Sequence, residues 1–161
     1  MKKVRVLFVC LGNICRSPLG AAILKKKIRA DGMDSWVEVD SCGTSNYHIG
    51  DHADPRTIAN ASGNGVPIEH CARQLSSDDL ENFDIIFAMD RSNYQNILRL
   101  TNGRDVRHKV KLMREFDPEQ KGGEVPDPYH GDESDFQEVF EILDRSTTGF
   151  IHYLRKEYQR L

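Results

Sequence analysis

The stretch VRVLFVCLGNICRSP, residues 4–18, decides the fold of this chain. Its first seven residues are almost continuously apolar and rich in β-branched side chains, which is typical of a parallel strand buried on both faces. Ser17 offers an N-cap, and Pro18 suits the first position of a helix. The pattern therefore predicts a strand, a tight loop and the start of a helix.

Strand and helix patterns alternate along the rest of the chain, which indicates an α/β fold with right-handed connections. We expect a three-layer αβα sandwich around a central four-stranded parallel sheet, the flavodoxin-like or doubly wound arrangement, in a single domain over residues 1–161. The elements expected after the first strand are a helix to about Asp31-Gly32, a strand at 36–41, a helix from Pro55 to about Asn64, a strand at 83–89, a helix capped by Asp90 through Leu98, a weaker strand around Val110 and Leu112, and a long last helix.

The last helix has the clearest pattern, because its apolar residues share one stripe with a period of 3.6 residues. Ser134 and Gln137 have the spacing of a capping box at its start. The residues of the stripe are Phe136, Val139, Phe140, Leu143, Phe150, Ile151, Leu154 and Tyr158.

Composition argues against several classes of protein. The chain is 39% hydrophobic and 29% charged with a formal net charge of −3, so a general nucleic-acid binder is not expected. No apolar run approaches the roughly 18 residues of a membrane helix, so no membrane partner is expected. The basic, apolar start lacks a small-residue cleavage site, and a chain of this size does not need disulfides. We therefore expect a cytoplasmic protein with reduced thiols.

Charge is unevenly distributed along the chain. Residues 1–29 hold eight Lys or Arg and no acid, whereas residues 115–144 hold eleven acids and one Lys. We interpret Lys25–Lys27 as a solvated helix face. The basic opening unit nevertheless favours an anionic ligand near the first strand.

The loop after the first strand has the composition of an anion cradle. In doubly wound sheets, ligands bind outside the carboxyl ends of the strands, where Cys10–Pro18 lies. Gly12 permits positive φ or a close backbone approach and Asn13 tolerates the left-handed region, so successive N–H groups can point inward as a nest. The helix N-terminus adds partial positive charge, and Arg16 offers a planar fork that matches two phosphate oxygens.

Cys10 stands at the mouth of this cradle, where positive charge favours the nucleophilic thiolate. Ser17 can donate a hydrogen bond to the sulfur. A buried strand-end cysteine is the ordinary interpretation of Cys10 alone. The ordered series of strand, Cys, Gly, Asn, Arg, Ser and helix start favours covalent phosphoryl transfer instead.

Covalent transfer also requires an acid for the leaving oxygen and later a base for water. Asp127 is the best candidate, because it lies in the proline-flanked segment EVPDPYHG (124–131) after the fourth predicted strand. An Asp-Pro turn without catalytic function is the ordinary alternative for such a segment.

No metal or other cofactor is expected, because the nest and Arg16 already supply positive charge. A Walker nucleotide loop needs GxxxxGK[ST], and this segment has one glycine and no lysine. A zinc site is also not expected, since Cys10 and Cys15 form one loosely spaced pair and Cys42 and Cys71 lack neighbouring ligands.

The motifs CLGNICRSP at Cys10–Pro18 and DPY at Asp127–Tyr129 resemble the signature and the acid loop of the low-molecular-weight protein tyrosine phosphatases. Cys-x5-Arg is shared by other phosphatase classes, but its N-terminal position and the distant DPY are specific to this family. The similarity covers the whole chain in order. Like segments are SCGTS at Ser41–Ser45, GDHADPR at Gly50–Arg56, HCARQL at His70–Leu75 and FAMDRSN at Phe87–Asn93.

The resemblance implies a role for each matching residue. Cys10 becomes the nucleophile, Arg16 the phosphate and transition-state clamp, and Asp127 the general acid and then base. The implied loop-supporting hydrogen-bond network consists of Asn13, Ser17, Ser41 and His70, although His70 could also be an ordinary core histidine. The implied contacts to phosphate and substrate are Leu11, Gly12, Asn13, Ile14, Cys15, Ser17, Tyr47 and Tyr129.

The resemblance also implies a deep slot with aromatic walls at Tyr47 and Tyr129, through which phosphotyrosine reaches the thiolate and phosphoserine does not. Packing within its own loop is the alternative for Tyr47. Cys15 has two compatible interpretations: a reversible disulfide with Cys10, as in the family, or a small buried filler.

Three rival functions remain at this stage. Thioredoxin-coupled arsenate reduction needs two further downstream cysteines, and no cysteine follows Cys71. Phosphoarginine phosphatases typically carry Thr where this chain has Leu11 and Ile14, and the apolar pair favours an aryl phosphate. An inactive phosphopeptide-binding module would usually lose the nucleophile or the acid. The expected partners are therefore a phosphotyrosine protein, with a tyrosine kinase as one candidate, and inorganic phosphate or a similar oxyanion in the loop.

Overall fold

The computed structural model describes residues 2–158 and confirms the expected doubly wound sheet. The strands are β1 (Val4–Cys10), β2 (Val37–Gly43), β3 (Ile85–Ala88) and β4 (Val110–Leu112). They pair in parallel in the spatial order β2-β1-β3-β4, so β2 and β3 lie on opposite sides of β1. The crevice of the topological switch therefore opens beyond the carboxyl ends of β1 and β3.

Helices cover both faces of the sheet. They are α1 (Arg16–Ala30), α2 (Pro55–Gly63), α3 (Ser77–Asn82), α4 (Arg91–Leu98) and α5 (Glu133–Glu157), with 3₁₀ turns at Arg107–Lys109 and Met113–Phe116. Along β1, Val6 and Phe8 pack with the apolar residues of α1 and α5, whereas Leu7 and Val9 pack with those of α3 and α4. Because both faces of the strand are buried, all of its residues except Arg5 are apolar.

Two of the expected caps are wrong. The first helix begins at Arg16 with Cys15 at the N-cap position, because the Ser17 hydroxyl bonds side chains of the preceding loop instead of capping the helix. The capping box of α5 is formed by Asp132 and Asp135, two residues earlier than expected. The two acids also complement the positive end of the helix dipole.

Lys27 is not simply solvated. Its Nζ atom pairs with Asp144 Oδ1 at 2.8 Å and bonds the hydroxyl groups of Thr147 and Thr148, so it joins α1 to α5. Within residues 2–158, every helix is too short or too polar to span a bilayer.

Candidate active site

The loop between β1 and α1 (residues 11–15) is held in place by backbone N–H groups of the following segments, which donate to carbonyl groups in and next to the loop. The carbonyl oxygens of Cys10 and Leu11 accept from the N–H groups of Thr44 and Ser45, both at 2.9 Å. The carbonyl oxygen of Ile14 likewise accepts from the N–H group of Asp54, at 2.8 Å. By contrast, the N–H groups of residues 12–15 have no acceptor among the described residues. These donors remain available to an anion.

Asn13 fixes the shape of the loop from behind. It has a φ of 57°, in the left-handed region that asparagine tolerates, as expected from the sequence. Its amide group donates to Ser17 Oγ at 2.8 Å and to Ser41 Oγ at 3.0 Å. Its Oδ1 atom accepts from His70 Nε2 at 2.7 Å and from the Arg73 N–H at 3.1 Å. The side chain thus ties the loop to β2 and to residues 70–73.

His70 must carry its proton on Nε2, because Asn13 Oδ1 can only accept. Burial lowers the pKa of His70 below its ordinary value, and the Lys25 and Arg73 cations lower it further against the opposing effect of Asp40. The ring is therefore neutral near pH 7 and acts as a fixed donor.

Cys10 is a buried free thiol at the end of β1. Its sulfur lies 2.9 Å from Ser17 Oγ, and the Ser17 N–H donates to the sulfur at 3.4 Å. The Ser17 hydroxyl is also 3.3 Å from the Cys42 carbonyl, to which it can donate while Cys10 is protonated. It has one proton, so once Cys10 ionises it can donate to the thiolate instead.

Arg16 is 3% exposed, yet its side chain lines a surface cavity together with Cys10. Its Nη1 atom donates to Asp90 Oδ2 at 2.7 Å and to the Val125 carbonyl at 3.0 Å. Burial lowers the pKa of Arg16, but the nearby Cys10, Asp90 and Asp127 outweigh it and raise that pKa above its ordinary value. A permanently charged, rigidly held fork results.

Asp127 faces Arg16 across the cavity. Its Oδ2 atom is 3.7 Å from Arg16 Nη2, and its Oδ1 atom accepts from the Tyr129 N–H at 3.1 Å. Arg56, which pairs with Asp54 at 2.9 Å, donates to the Tyr129 carbonyl at 2.9 Å. The acid loop is therefore anchored to the start of α2.

A cavity of about 230 Å³ brings most of the predicted site residues together. Asn13, Ser17, Ser41 and His70 do not line it and lie behind the loop instead. His48 and His130 line it in addition; both adjoin the predicted tyrosines in sequence. The lining residues are Cys10, Leu11, Gly12, Ile14, Cys15, Arg16, Tyr47, His48, Asp127, Tyr129 and His130.

Two further features of the cavity bear on the expectations. Tyr47 is 75% exposed, so it does not pack within its own loop. Burial raises the pKa of the Cys15 thiol to about 12, and the nearby Asp54 and Asp127 carboxylates act in the same direction, so Cys15 stays protonated near pH 7. The described residues contain no group of three or more His, Cys, Asp or Glu side chains placed to hold a metal ion.

Sequence reasoning gave Asp90 only a capping role and missed Gly43. Asp90 does cap α4, accepting from the Asn93 N–H, but it also holds Arg16. At Gly43 a Cβ atom would lie 2.7 Å from the Leu11 carbonyl oxygen and 3.0 Å from the Asn13 nitrogen. The only sequence signal for this close approach was a glycine at the end of β2.

We predict that Gly43→Ala weakens oxyanion binding and lowers kcat/KM, because the added methyl group must push the catalytic loop away from β2. An overpacked site of this kind typically costs about 1–3 kcal/mol. Orthovanadate affinity and kcat/KM on p-nitrophenyl phosphate would be compared with those of Gly63→Ala, where a Cβ meets nothing within 4 Å. Unchanged vanadate affinity in Gly43→Ala would contradict the close approach.

A buried thiol, an arginine fork and unpaired N–H donors around one cavity define a cysteine-dependent phosphatase site. The family model described as low molecular weight phosphotyrosine protein phosphatase matches residues 5–160. The chain belongs to this family.

Individual relatives agree with the family match. The low molecular weight protein-tyrosine-phosphatase of Streptomyces coelicolor is 37% identical over 157 residues, which cover 96% of each chain. A crystal structure of a protein tyrosine phosphatase from Entamoeba histolytica superposes with a TM-score of 0.91 at 38% identity, covering 99% of this chain and 100% of that one. The YwlE arginine phosphatase shares the fold, with a TM-score of 0.87 at 24% identity over 97% of this chain and 99% of that one.

Proposed function

We propose that this protein-tyrosine phosphatase hydrolyses phosphotyrosine in proteins through a cysteinyl-phosphate intermediate, without a metal ion. The observation that carries the proposal is the convergence of Cys10 Sγ, the Arg16 fork and the Asp127 carboxyl group on one cavity. A nucleophile, a charge clamp and a proton donor are the three groups that phosphoryl transfer to a thiol requires.

In the first step the Cys10 thiolate attacks phosphorus, and an S–P bond forms as the bond to the tyrosine oxygen breaks. The Arg16 fork and the free N–H groups of the loop hold the equatorial oxygens and stabilise their charge. Protonated Asp127 gives its proton to the leaving phenolate oxygen.

In the second step the Asp127 carboxylate takes a proton from water, and the resulting hydroxide attacks phosphorus. The S–P bond breaks and inorganic phosphate leaves. The Ser17 hydroxyl, 2.9 Å from the sulfur, stabilises the departing thiolate by donating to it. Cys15, held as a neutral thiol, does not compete as the nucleophile.

Substrate choice follows from the walls of the cavity. Leu11 and Ile14 supply apolar surface near Cys10, and Tyr47 and Tyr129 stand at the entrance. Within residues 2–158 the exposed large hydrophobic side chains are Leu11, Tyr47, Ile49 and Tyr129, with three of these four on this cavity. An aromatic ring fits such walls, and a short phosphoserine side chain does not reach the sulfur. A tyrosine kinase in the cytoplasm remains our proposed physiological substrate.

A panel of phosphopeptides tests this assignment. In EDTA, we expect kcat/KM for a phosphotyrosine peptide to exceed that for the matched phosphoserine and phosphoarginine peptides by about 10³-fold or more, because the shorter and the non-aromatic groups lose wall contacts and alignment. Phosphate release measures all three. Preference for phosphoarginine, dependence on added metal, or binding of phosphotyrosine without release would each contradict the proposal.

A further inference from the structure

A second concave surface, here called the basic cleft, lies between α1 and residues 65–70 and has a volume of about 630 Å³. Ser41 and His70, which hold the catalytic loop through Asn13, separate this cleft from the loop. The apolar floor of the cleft is formed by Pro18, Ala21, Ala22, Pro67 and Ile68. A volume of this size suits a small organic ligand.

Cations dominate the rim of the basic cleft. Lys25 and Lys26 project from one turn of α1 and Arg29 from the next, and Glu69 is the one acid among the lining residues. Lys26 is used structurally, because its Nζ atom donates to the Gly65 carbonyl at 2.7 Å and joins the two walls. Lys25 and Arg29 are exposed and pair with no carboxylate within residues 2–158. Two cations above an apolar floor are complementary to an amphipathic anion.

The wall of the basic cleft nearest the catalytic loop includes two residues that hold that loop in place. These residues, Ser41 and His70, both hydrogen-bond to the Asn13 side chain, at 3.0 Å and 2.7 Å. The basic cleft and the catalytic cavity share no lining residue, so two ligands can be bound together. A ligand in the cleft is therefore separated from the catalytic loop by one layer of hydrogen-bonded side chains.

We infer that the basic cleft is an effector site for a small amphipathic organic anion, whose flat apolar body covers the floor while its anionic group pairs with Lys25 and Arg29. Such a ligand would hold His70 against Asn13 and so keep the catalytic loop in its anion-binding shape. Since coupling between two sites is reciprocal, the effector tightens oxyanion binding at Cys10 and the oxyanion tightens effector binding.

The test uses 1-anilinonaphthalene-8-sulfonate, a fluorescent amphipathic anion, as the probe. It is titrated into the full chain with and without saturating orthovanadate in the catalytic loop. We expect saturable binding that persists with vanadate present. The double substitution Lys25→Gln with Arg29→Gln should weaken it about tenfold or more, because two charge-assisted contacts are lost. The matched control, Arg99→Gln with Arg107→Gln, removes two positive charges on the α4–β4 side of the molecule.

The coupling is read from orthovanadate affinity, measured by calorimetry with and without the probe. We expect the probe to tighten vanadate binding about fivefold or more in the parent and control proteins. In Lys25→Gln with Arg29→Gln this effect should disappear, while kcat/KM without the probe stays unchanged. Displacement of the probe by vanadate, equal probe affinity in all variants, or unchanged vanadate affinity with the probe bound would each overturn the inference.

Discussion

Replacing Cys10 with serine will abolish turnover while the loop keeps its ability to hold an oxyanion. The hydroxyl of serine is a far weaker nucleophile than a thiolate, so we expect kcat on phosphotyrosine peptide to fall by about 10⁴–10⁶-fold. Arg16 and the N–H groups of residues 12–15 do not depend on the sulfur. Stopped assays of phosphate release and calorimetric titration with inorganic phosphate measure the two quantities separately.

Cys71→Ser is the matched control for this substitution. Cys71 is exposed, and among the described residues the hydrogen-bond partner of its sulfur is His52 Nδ1, at 3.9 Å. Its removal should leave turnover within about twofold of the parent protein, since substitutions of this kind cost little. Substantial residual turnover in Cys10→Ser with full loss in Cys71→Ser would make Cys71 the nucleophile and refute the mechanism.

Replacing Asp127 with asparagine removes the proton donor and should lower kcat by about 10²–10⁴-fold. The loss must depend on the leaving group. The phenol of tyrosine has a pKa of about 10, so its oxygen needs a proton as it departs. p-Nitrophenolate departs more readily as an anion. The ratio of variant to parent kcat should therefore be much smaller on phosphotyrosine than on p-nitrophenyl phosphate.

Glu133→Gln serves as the neighbouring control, because Glu133 is exposed in the first turn of α5 and has no ion-pair partner within residues 2–158. This substitution should leave kcat unchanged on both phosphotyrosine and p-nitrophenyl phosphate. An Asp127→Asn loss of equal size on both substrates would argue for a merely structural carboxyl group, which its bond from the Tyr129 N–H would then explain.

Much of the fold was predictable because the strands and helices carry local signals. The strand β1 is buried on both faces, so every position except Arg5 is apolar, and α5 buries one stripe from Phe136 to Leu154. The short helix α3 was not predicted. Its six residues, SDDLEN, hold only one buried apolar side chain, Leu80, so it has no periodicity to detect.

The site was predictable where chemistry and position coincide in one segment. Cys10, Arg16 and Ser17 lie within one loop and one helix start, and Asp127 sits in a distinctive proline-flanked turn. The Arg16–Asp90 contact was not predictable, because it joins residues 74 positions apart whose meeting depends on β1 and β3 being neighbours. A capping aspartate gives no sequence sign of this second role.

The most direct test of the central claim is to trap the phosphorylated protein during turnover. A phosphotyrosine peptide is mixed with the full chain, quenched within milliseconds in alkaline denaturant, and digested for mass spectrometry. We predict one phosphoryl group on the peptide that contains Cys10, appearing before free phosphate and decaying as substrate is exhausted. Turnover without any phosphoryl group on Cys10, or with one on another residue, would contradict a cysteinyl-phosphate mechanism.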